Sequence, residues 1–104
     1  MDCKLKVVLK TSKGKSYPVG TKFFVFPGKS PMRAIATDES DYKVGITMLK
    51  LHKYFGDPFV KVTMKDLERA SMDSVVDSMT GESVEPDGHD AYGFPSILLA
   101  AGLI

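Results

Sequence analysis

The sequence is poor in several residue types, and each shortage excludes a class of protein. It has one cysteine, Cys3, and no tryptophan, asparagine or glutamine. One cysteine cannot form an intrachain disulfide or a cysteine-rich zinc site, so we expect neither to hold the fold. No apolar run approaches the roughly 18 residues of a membrane-spanning helix. Charge alternates with apolar side chains from Met1 to Lys10, which is unlike a secretory signal. We therefore expect no membrane partner and a reducing, cytoplasmic compartment.

The length and composition indicate one ordinary globular domain. The chain has 104 residues, of which 43% are hydrophobic and 26% are charged. A chain of 11.4 kDa should remove roughly two-thirds of its unfolded surface from water on folding. We therefore expect a single core that needs no cofactor and no metal.

Positive charge is missing from the last third of the chain. All 14 Lys and Arg residues lie between Lys4 and Arg69, and seven acids accompany them up to that point. From Ala70 to Ile104 there is no Lys or Arg, and the acids there are Asp73, Asp77, Glu82, Glu85, Asp87 and Asp90. Such asymmetry is typical of a basic surface for a polyanion or of an acidic segment for a basic partner, including the protein's own body, although two solvated faces can also differ in sign without function.

Most of the first 62 residues have the pattern of short strands. Leu5, Val7 and Leu9 alternate with lysines, which predicts a half-buried strand followed by a turn at Ser12–Lys15. The second strand, Thr21–Phe26, is apolar on both faces, so we expect each face to be covered. The further predicted strands are Met32–Thr37, Tyr42–Ile46 and Phe59–Val62, with a polar turn at Asp38–Asp41 between the first two.

Two segments have helical signals. Thr47–Phe55 fits either a helix or a strand, because Met48, Leu51 and Phe55 share a helical face while Leu49 and Leu51 share a strand face. Thr63–Leu67 predicts a single helical turn. Five short strands joined by Gly and Pro turns favour a mainly β fold, a small antiparallel barrel.

This order of elements resembles an SH3-like small barrel. The stretch Val19–Val25 is similar to the opening strand of such modules, and Val60–Glu68 is similar to the strand and one-turn helix that close them. The resemblance implies a barrel body over residues 1–69. It implies no particular function, because a fold alone does not assign one.

We expect residues 70–104 to form an acidic linker and a C-terminal helix that pack on the same domain. Ser71–Gly93 is loop-rich, with at most one short helix near Met72–Met79. Phe94–Ile104 has Pro95 at a plausible first helical position and no charged side chain. We expect this helix to cover the second face of the Thr21–Phe26 strand, although a helix held out for a partner or a homodimer remains open. The run Tyr92–Ser96 with its apolar ending also resembles the ends of small tailed-phage accessory proteins.

The sequence offers no convincing catalytic or metal motif. Gly28–Ser30 resembles the end of a phosphate-binding loop, but Phe23 occupies the position of the first glycine. His52 lies among lysines and is predicted to be a surface or packing residue, and His89 lies in a polar turn without enough neighbouring ligands for a zinc or calcium site. Cys3 is predicted to be a small residue near the core. We therefore expect no enzyme.

Two functions remain open. The leading hypothesis is a small protein-binding regulator or inhibitor that uses a sheet edge, the C-terminal helix or the six acids listed above. The alternative is a non-specific nucleic-acid-binding module, with Tyr17, Phe24 and Tyr54 as stacking surfaces. Without Asn or Gln, only Arg33 and Arg69 could read guanine. The basic face expected for this alternative consists of Lys4, Lys6, Lys10, Lys13 and Lys15.

Overall fold

The computed structural model describes residues 1–39 and 42–104, and it is mainly β. Its principal sheet has four antiparallel strands in the order β1-β4-β5-β6. Two further pairs, β2–β3 and β7–β8, are separate antiparallel hairpins. The strands are β1 (Asp2–Lys4), β2 (Leu9–Lys10), β3 (Ser16–Tyr17), β4 (Lys22–Val25), β5 (Met32–Ala36), β6 (Lys43–Ile46), β7 (Val76–Asp77) and β8 (Ser83–Val84).

Helical structure is short. A 3-10 turn at Met48–Lys50 leads directly into α1 (Leu51–Phe55), so the ambiguous segment is helical. Helix α2 (Met64–Ala70) is longer than the single predicted turn, and Thr63 begins it with a reciprocal capping box to Asp66. Helix α3 spans Ile97–Ala100.

The sheets do not close into a barrel. The first predicted strand divides instead, because β1 pairs with β4 whereas β2 pairs with β3. Between them, the backbone N–H of Lys6 donates to the carbonyl of Tyr54 rather than to a strand. Leu5 and Leu9 are buried as the alternation indicated, but Val7 is exposed.

One other expectation from the strand pattern is wrong. Phe59–Val62 is not a strand: Phe59 and Val62 are buried, and the N–H of Val60 donates to the carbonyl of Met79. The segment Met72–Met79, for which at most one short helix was predicted, contains no helix and includes β7, which pairs with β8. The polar turn at 38–41 lies partly outside the described residues, since Ser40 and Asp41 are not among them.

One hydrophobic core joins the sheet to the C-terminal segment. The buried face of β4 contributes Phe23 and Val25, which are fully covered. Phe23 packs edge to face on Phe55, and Phe59 packs in the same way on Phe94, with ring centroids 5.8 and 5.3 Å apart. The acidic segment and the sheet therefore share one core.

The C-terminal helix is shorter than the sequence indicates and packs elsewhere. The helix begins at Ile97 rather than at Pro95, and the hydroxyl of Ser96 caps it by accepting a hydrogen bond from the N–H of Leu99. Ile97, Leu98 and Ala100 are buried in the core. Leu103 and Ile104 remain 58% and 54% exposed, so the apolar ending is only partly covered.

The second face of β4 is not covered by that helix. Phe24 is half-buried, and Phe26, just after the strand, is 36% exposed. This correction matters for function, because it leaves aromatic surface on the solvent side of the main sheet.

Candidate functional site

A basic groove runs along the free edge of β6. It has a volume of about 440 Å³ and lies between β6, the β2–β3 hairpin and the helical segment that follows β6. None of the described residues that line it is acidic. We define the basic groove by its five cations and two tyrosines, Lys10, Lys13, Arg33, Lys43, Lys50, Tyr42 and Tyr54.

Five separate parts of the chain supply these cations. Lys10 lies in β2 and Lys13 in the turn that follows, where Gly14 adopts φ +84°. Arg33 comes from β5, Lys43 from β6 and Lys50 from the 3-10 turn. Their convergence depends on strand register and on the hairpin, because Lys10 and Lys13 are far along the chain from Arg33, Lys43 and Lys50.

Gly45 lets Arg33 reach the groove. The two residues are opposite each other in the β5–β6 register. A Cβ atom at position 45 would lie 3.2 Å from Nη1 of Arg33, so the guanidinium lies across the bare backbone of β6. A side chain there would require the guanidinium to shift by a few tenths of an ångström.

The backbone of β6 adds hydrogen-bond donors and acceptors to this edge. The N–H of Phe26 donates to the carbonyl of Arg33 at 2.8 Å, so the backbone of Arg33 faces β4. Because neighbouring residues of an antiparallel strand alternate between the two sides, Ala34 faces β6, and its partner Val44 is the residue bonded to β5. The N–H and carbonyl groups of Lys43 and Gly45 therefore all point away from the sheet, so this edge offers hydrogen-bond donors and acceptors alike.

An ion pair fixes the hairpin beside the groove. Nζ of Lys15 lies 2.5 Å from a carboxylate oxygen of Glu39, and the hydroxyl of Tyr17 donates to the same carboxylate. The hydrogen bond to Glu39 raises the pKa of Lys15, and the same contact lowers the pKa of Glu39. Burial raises the pKa of Tyr17. Lys15 also lies 4.9 Å from the ring centroid of Tyr42, which ties the hairpin to the groove.

The five lysines predicted to share one basic face are divided in the structure. Lys10 and Lys13 line the groove. Lys4 lies opposite Lys22 on β4, and the side chain of Lys6 packs over Gly56. Lys15 is held by Glu39. The expectation that one strand carries Lys4, Lys6 and Lys10 is wrong, because β1 ends at Lys4 and β2 begins at Leu9.

The predicted stacking residues also separate. Tyr17 is buried and packs edge to face on Phe23, with centroids 5.0 Å apart, so it cannot stack on a ligand. Tyr54 lines the groove, and Phe24 lies on the solvent side of the sheet.

Five of the six predicted partner-binding acids are exposed, and none of the six forms an ion pair within the described part of the chain. Lys61 and Arg69 do line a hollow of about 240 Å³ together with Asp73 and Asp77. The exposed acids are Asp73, Asp77, Glu82, Glu85 and Asp87.

Asp90 differs from the other acids because it is buried. It accepts hydrogen bonds from the hydroxyls of Ser78 and Thr80 and from the N–H groups of Tyr92 and Phe94. These four donors occupy both carboxylate oxygens. Asp90 therefore organises the loop that precedes α3 rather than facing a partner.

The residues considered for catalysis have structural surroundings. Nδ1 of His52 lies 2.7 Å from the carbonyl of Phe59, and because a carbonyl only accepts, Nδ1 carries the proton. His89 is exposed and bridges to Pro95 through its backbone. Burial raises the pKa of Cys3, which disfavours a reactive thiolate. Residues 1–39 and 42–104 contain no cluster of three metal-ligating side chains.

Comparisons with known proteins add no relative. No family model, no curated protein and no solved structure matches this chain. Across the described residues, no helix is long and apolar enough to cross a membrane.

Sequence reasoning missed Lys43, Lys50 and Tyr42 as site residues and considered Arg33 only as a reader of guanine. The charge excess of the first two-thirds of the chain pointed to a basic surface but not to its position. Only Tyr42 and Lys43, which are adjacent at the start of the Gly-containing strand β6, were available as a local signal.

Proposed function

We propose that this protein binds nucleic acid without sequence specificity through the basic groove. One observation carries the proposal: five cationic side chains from separate elements converge on a single groove that also contains two tyrosines. Neutralising phosphates with Lys and Arg releases counterions and supplies most of the affinity of non-specific binding. Aromatic side chains beside such cations provide surfaces on which bases stack.

The register of the sheet supports a polyanion over a small anion. Lys4 and Lys22 lie directly opposite each other in the β1–β4 pair. Like charges in this arrangement destabilise a sheet, which a polyanion would offset. Together with the groove, they distribute cations over β1, β4, β5 and β6. A ligand with several phosphates can contact such a spread surface, whereas a single phosphate cannot.

Low sequence specificity follows from composition. Asn and Gln, which form paired hydrogen bonds with adenine, are absent from the chain. Arg33 is the only arginine in the groove, so at most one guanine could be read there in this way.

The test is fluorescence anisotropy with a labelled single-stranded oligonucleotide of about 16 nucleotides. If each of the five cations neutralises one phosphate, log K against log salt should have a slope of about −3.5. Affinity should then fall about 100-fold between about 50 and 200 mM salt.

The informative variant is the double charge reversal Lys13→Glu and Lys50→Glu. Its matched control, Lys61→Glu with Lys65→Glu, changes the net charge equally at two exposed lysines outside the groove. The groove variant should lose much more affinity than the control. Equal losses, or no binding by the wild-type protein at low salt, would contradict the proposal.

A second candidate function is a regulator or inhibitor that binds a basic protein through the acidic segment. The exposed acids lie near apolar side chains in open solvent: Met72 is 88% exposed and Val75 is 55% exposed. Exposed apolar side chains rimmed by charge are typical of protein-binding sites. The hollow beside them, lined by Val75 and Asp77, could receive a side chain of the partner.

This second candidate is tested by replacing the five exposed acids with serine and leaving the structural Asp90 intact. Affinity capture from native lysate is then compared for the wild type, for this variant and for a control that carries Asp57→Ser and Glu68→Ser. Capture that the five replacements abolish and the control retains would support this function. Equal capture by all three would exclude the acidic segment as the site.

Neither candidate requires catalysis, and we propose a binding protein rather than an enzyme. A reducing compartment such as the cytoplasm remains our prediction, as do the fold-level resemblance to SH3-like modules and the resemblance to phage accessory proteins. A homodimer through the C-terminal helix, which the sequence left open, would use Leu103, Ile104 and the half-buried Leu99 and Ala101. The side chains of Ile97, Leu98 and Ala100 face the protein's own core.

A further inference from the structure

The solvent face of the main sheet presents an aromatic pair. Phe24 and Phe26 lie on the side of β4 opposite the buried Phe23 and Val25. Their ring centroids are 5.0 Å apart and their planes form an angle of 68°. In this edge-to-face arrangement Phe24 supports Phe26, whose ring remains partly open to solvent.

Two cations join this pair to the basic groove. Nζ of Lys43 lies 5.1 Å from the ring centroid of Phe26. The backbone carbonyl of Arg33 accepts a hydrogen bond from the N–H of Phe26, and the guanidinium of Arg33 lies across Gly45. Both cations also line the groove, so groove and ring form one continuous surface.

The combination determines the chemistry of the occupant. Cations alone suit any polyanion, including duplex nucleic acid and polyphosphate. An exposed phenyl ring next to them suits a ligand that carries a flat aromatic group beside each phosphate. The bases of a single strand have free faces, whereas those of a duplex are stacked inside the helix.

We propose that one base of a single-stranded nucleic acid stacks on Phe26 while Arg33 and Lys43 bind the adjacent phosphates. The ligand is therefore single-stranded rather than duplex. This inference rests on the proposed nucleic-acid function and adds its substrate class. When the base occupies the ring, the ammonium of Lys43 turns from the ring to the phosphate.

The first test compares ligands and a variant that removes only the ring. Phe26→Leu keeps the charge and most of the apolar surface, and Tyr92→Leu is the control because Tyr92 is an exposed aromatic outside this surface. Loss of one stacked base should weaken single-strand binding about tenfold. Phe26→Leu should leave the binding of duplex and of polyphosphate unchanged, and an abasic strand of equal length should bind both proteins equally.

The second test uses the absence of tryptophan from the chain. Phe26→Trp should retain single-strand binding and provide the only indole, whose fluorescence a stacked base should quench. Polyphosphate should not quench it.

The outcomes separate the inference from the function on which it rests. Equal wild-type affinity for single strand and duplex, with Phe26→Leu unchanged, would overturn the stacking inference and leave non-specific nucleic-acid binding standing. No binding to any of these ligands would overturn the proposed function itself. A melting curve of each variant checks that the fold is retained.

Discussion

The hydroxyl of Ser78 donates a hydrogen bond of 2.8 Å to Oδ2 of Asp90, and both residues are buried. This contact joins the hairpin that contains β7 and β8 to the loop before α3. The N–H of Ser78 meanwhile donates to the carbonyl of Glu82 and closes that hairpin. A carboxylate that the sequence placed among solvated acids is therefore part of the internal framework.

Asp90→Ala should destabilise the protein by about 2 to 3 kcal/mol. The change leaves the buried N–H of Phe94 without its acceptor, and such a group keeps its full desolvation cost. It also removes the acceptor to which the hydroxyls of Ser78 and Thr80 donate. Urea unfolding followed by circular dichroism measures the difference. Asp87→Ala, an exposed acid of the same loop, should stay within about 0.5 kcal/mol of the wild type. Similar losses in both variants would contradict the structural role of Asp90.

Leu98→Ala should cost about 2 to 5 kcal/mol of unfolding free energy, because it removes a buried side chain from the shared core. Leu103→Ala removes the same atoms from an exposed position and should cost less than about 1 kcal/mol. Thermal and urea melts of the two variants give the comparison. An unchanged melt for Leu98→Ala would show that α3 does not contribute to the core.

Acid should weaken the start of α2. Hydrogen bonds from Thr63 lower the pKa of Asp66 from its ordinary 3.8, so the folded state favours the carboxylate. The resulting stabilisation is present above about pH 4 and is lost as the pH falls through the lowered pKa of the folded state. The stability difference between wild type and Asp66→Asn should therefore shrink on acidification. Both proteins retain Glu39, so its titration contributes equally to their stabilities and cancels in the difference. A stability difference that stays constant as the pH falls would refute this prediction.

Lys13 and Lys15 should contribute unequally to oligonucleotide binding. Lys13 lines the groove, whereas the ammonium of Lys15 is held by Glu39. Lys13→Ala should lower affinity a few-fold and reduce the salt slope by about 0.7, the value for one phosphate of a single strand. Lys15→Ala should change both less, and Glu39→Gln should increase affinity at low salt. Anisotropy titrations at several salt concentrations decide, and a larger effect at Lys15 would argue against the groove.

Local patterns were enough to find much of the sheet. The β-branched and aromatic residues around Phe23 predicted β4, and the runs beginning at Met32 and Tyr42 predicted β5 and β6 to within a residue or two. The turn at Ser12–Lys15 was also correct, because Gly14 supplies the positive φ that the turn needs. These features depend on neighbours within a few residues.

The sequence by itself also determined the division of charge, the absence of disulfides and the lack of an adenine reader, since these follow from which residues are present. It could not determine which side of β4 would be covered. That depends on where the C-terminal segment docks, and the cap at Ser96 and the loop held by Asp90 direct α3 into the main core instead.

The basic groove was decided only by the tertiary structure. Lys10, Arg33 and Lys50 are separated by 17 or more residues along the chain, and no local pattern links them. Strand register brings Arg33 opposite Gly45, and the β2–β3 hairpin brings Lys10 beside β6. The positions of these cations follow from long-range strand pairing, which is stabilised by burial of the whole core. Each residue adds only a small part of that stabilisation, so no short stretch of sequence reveals the pairing.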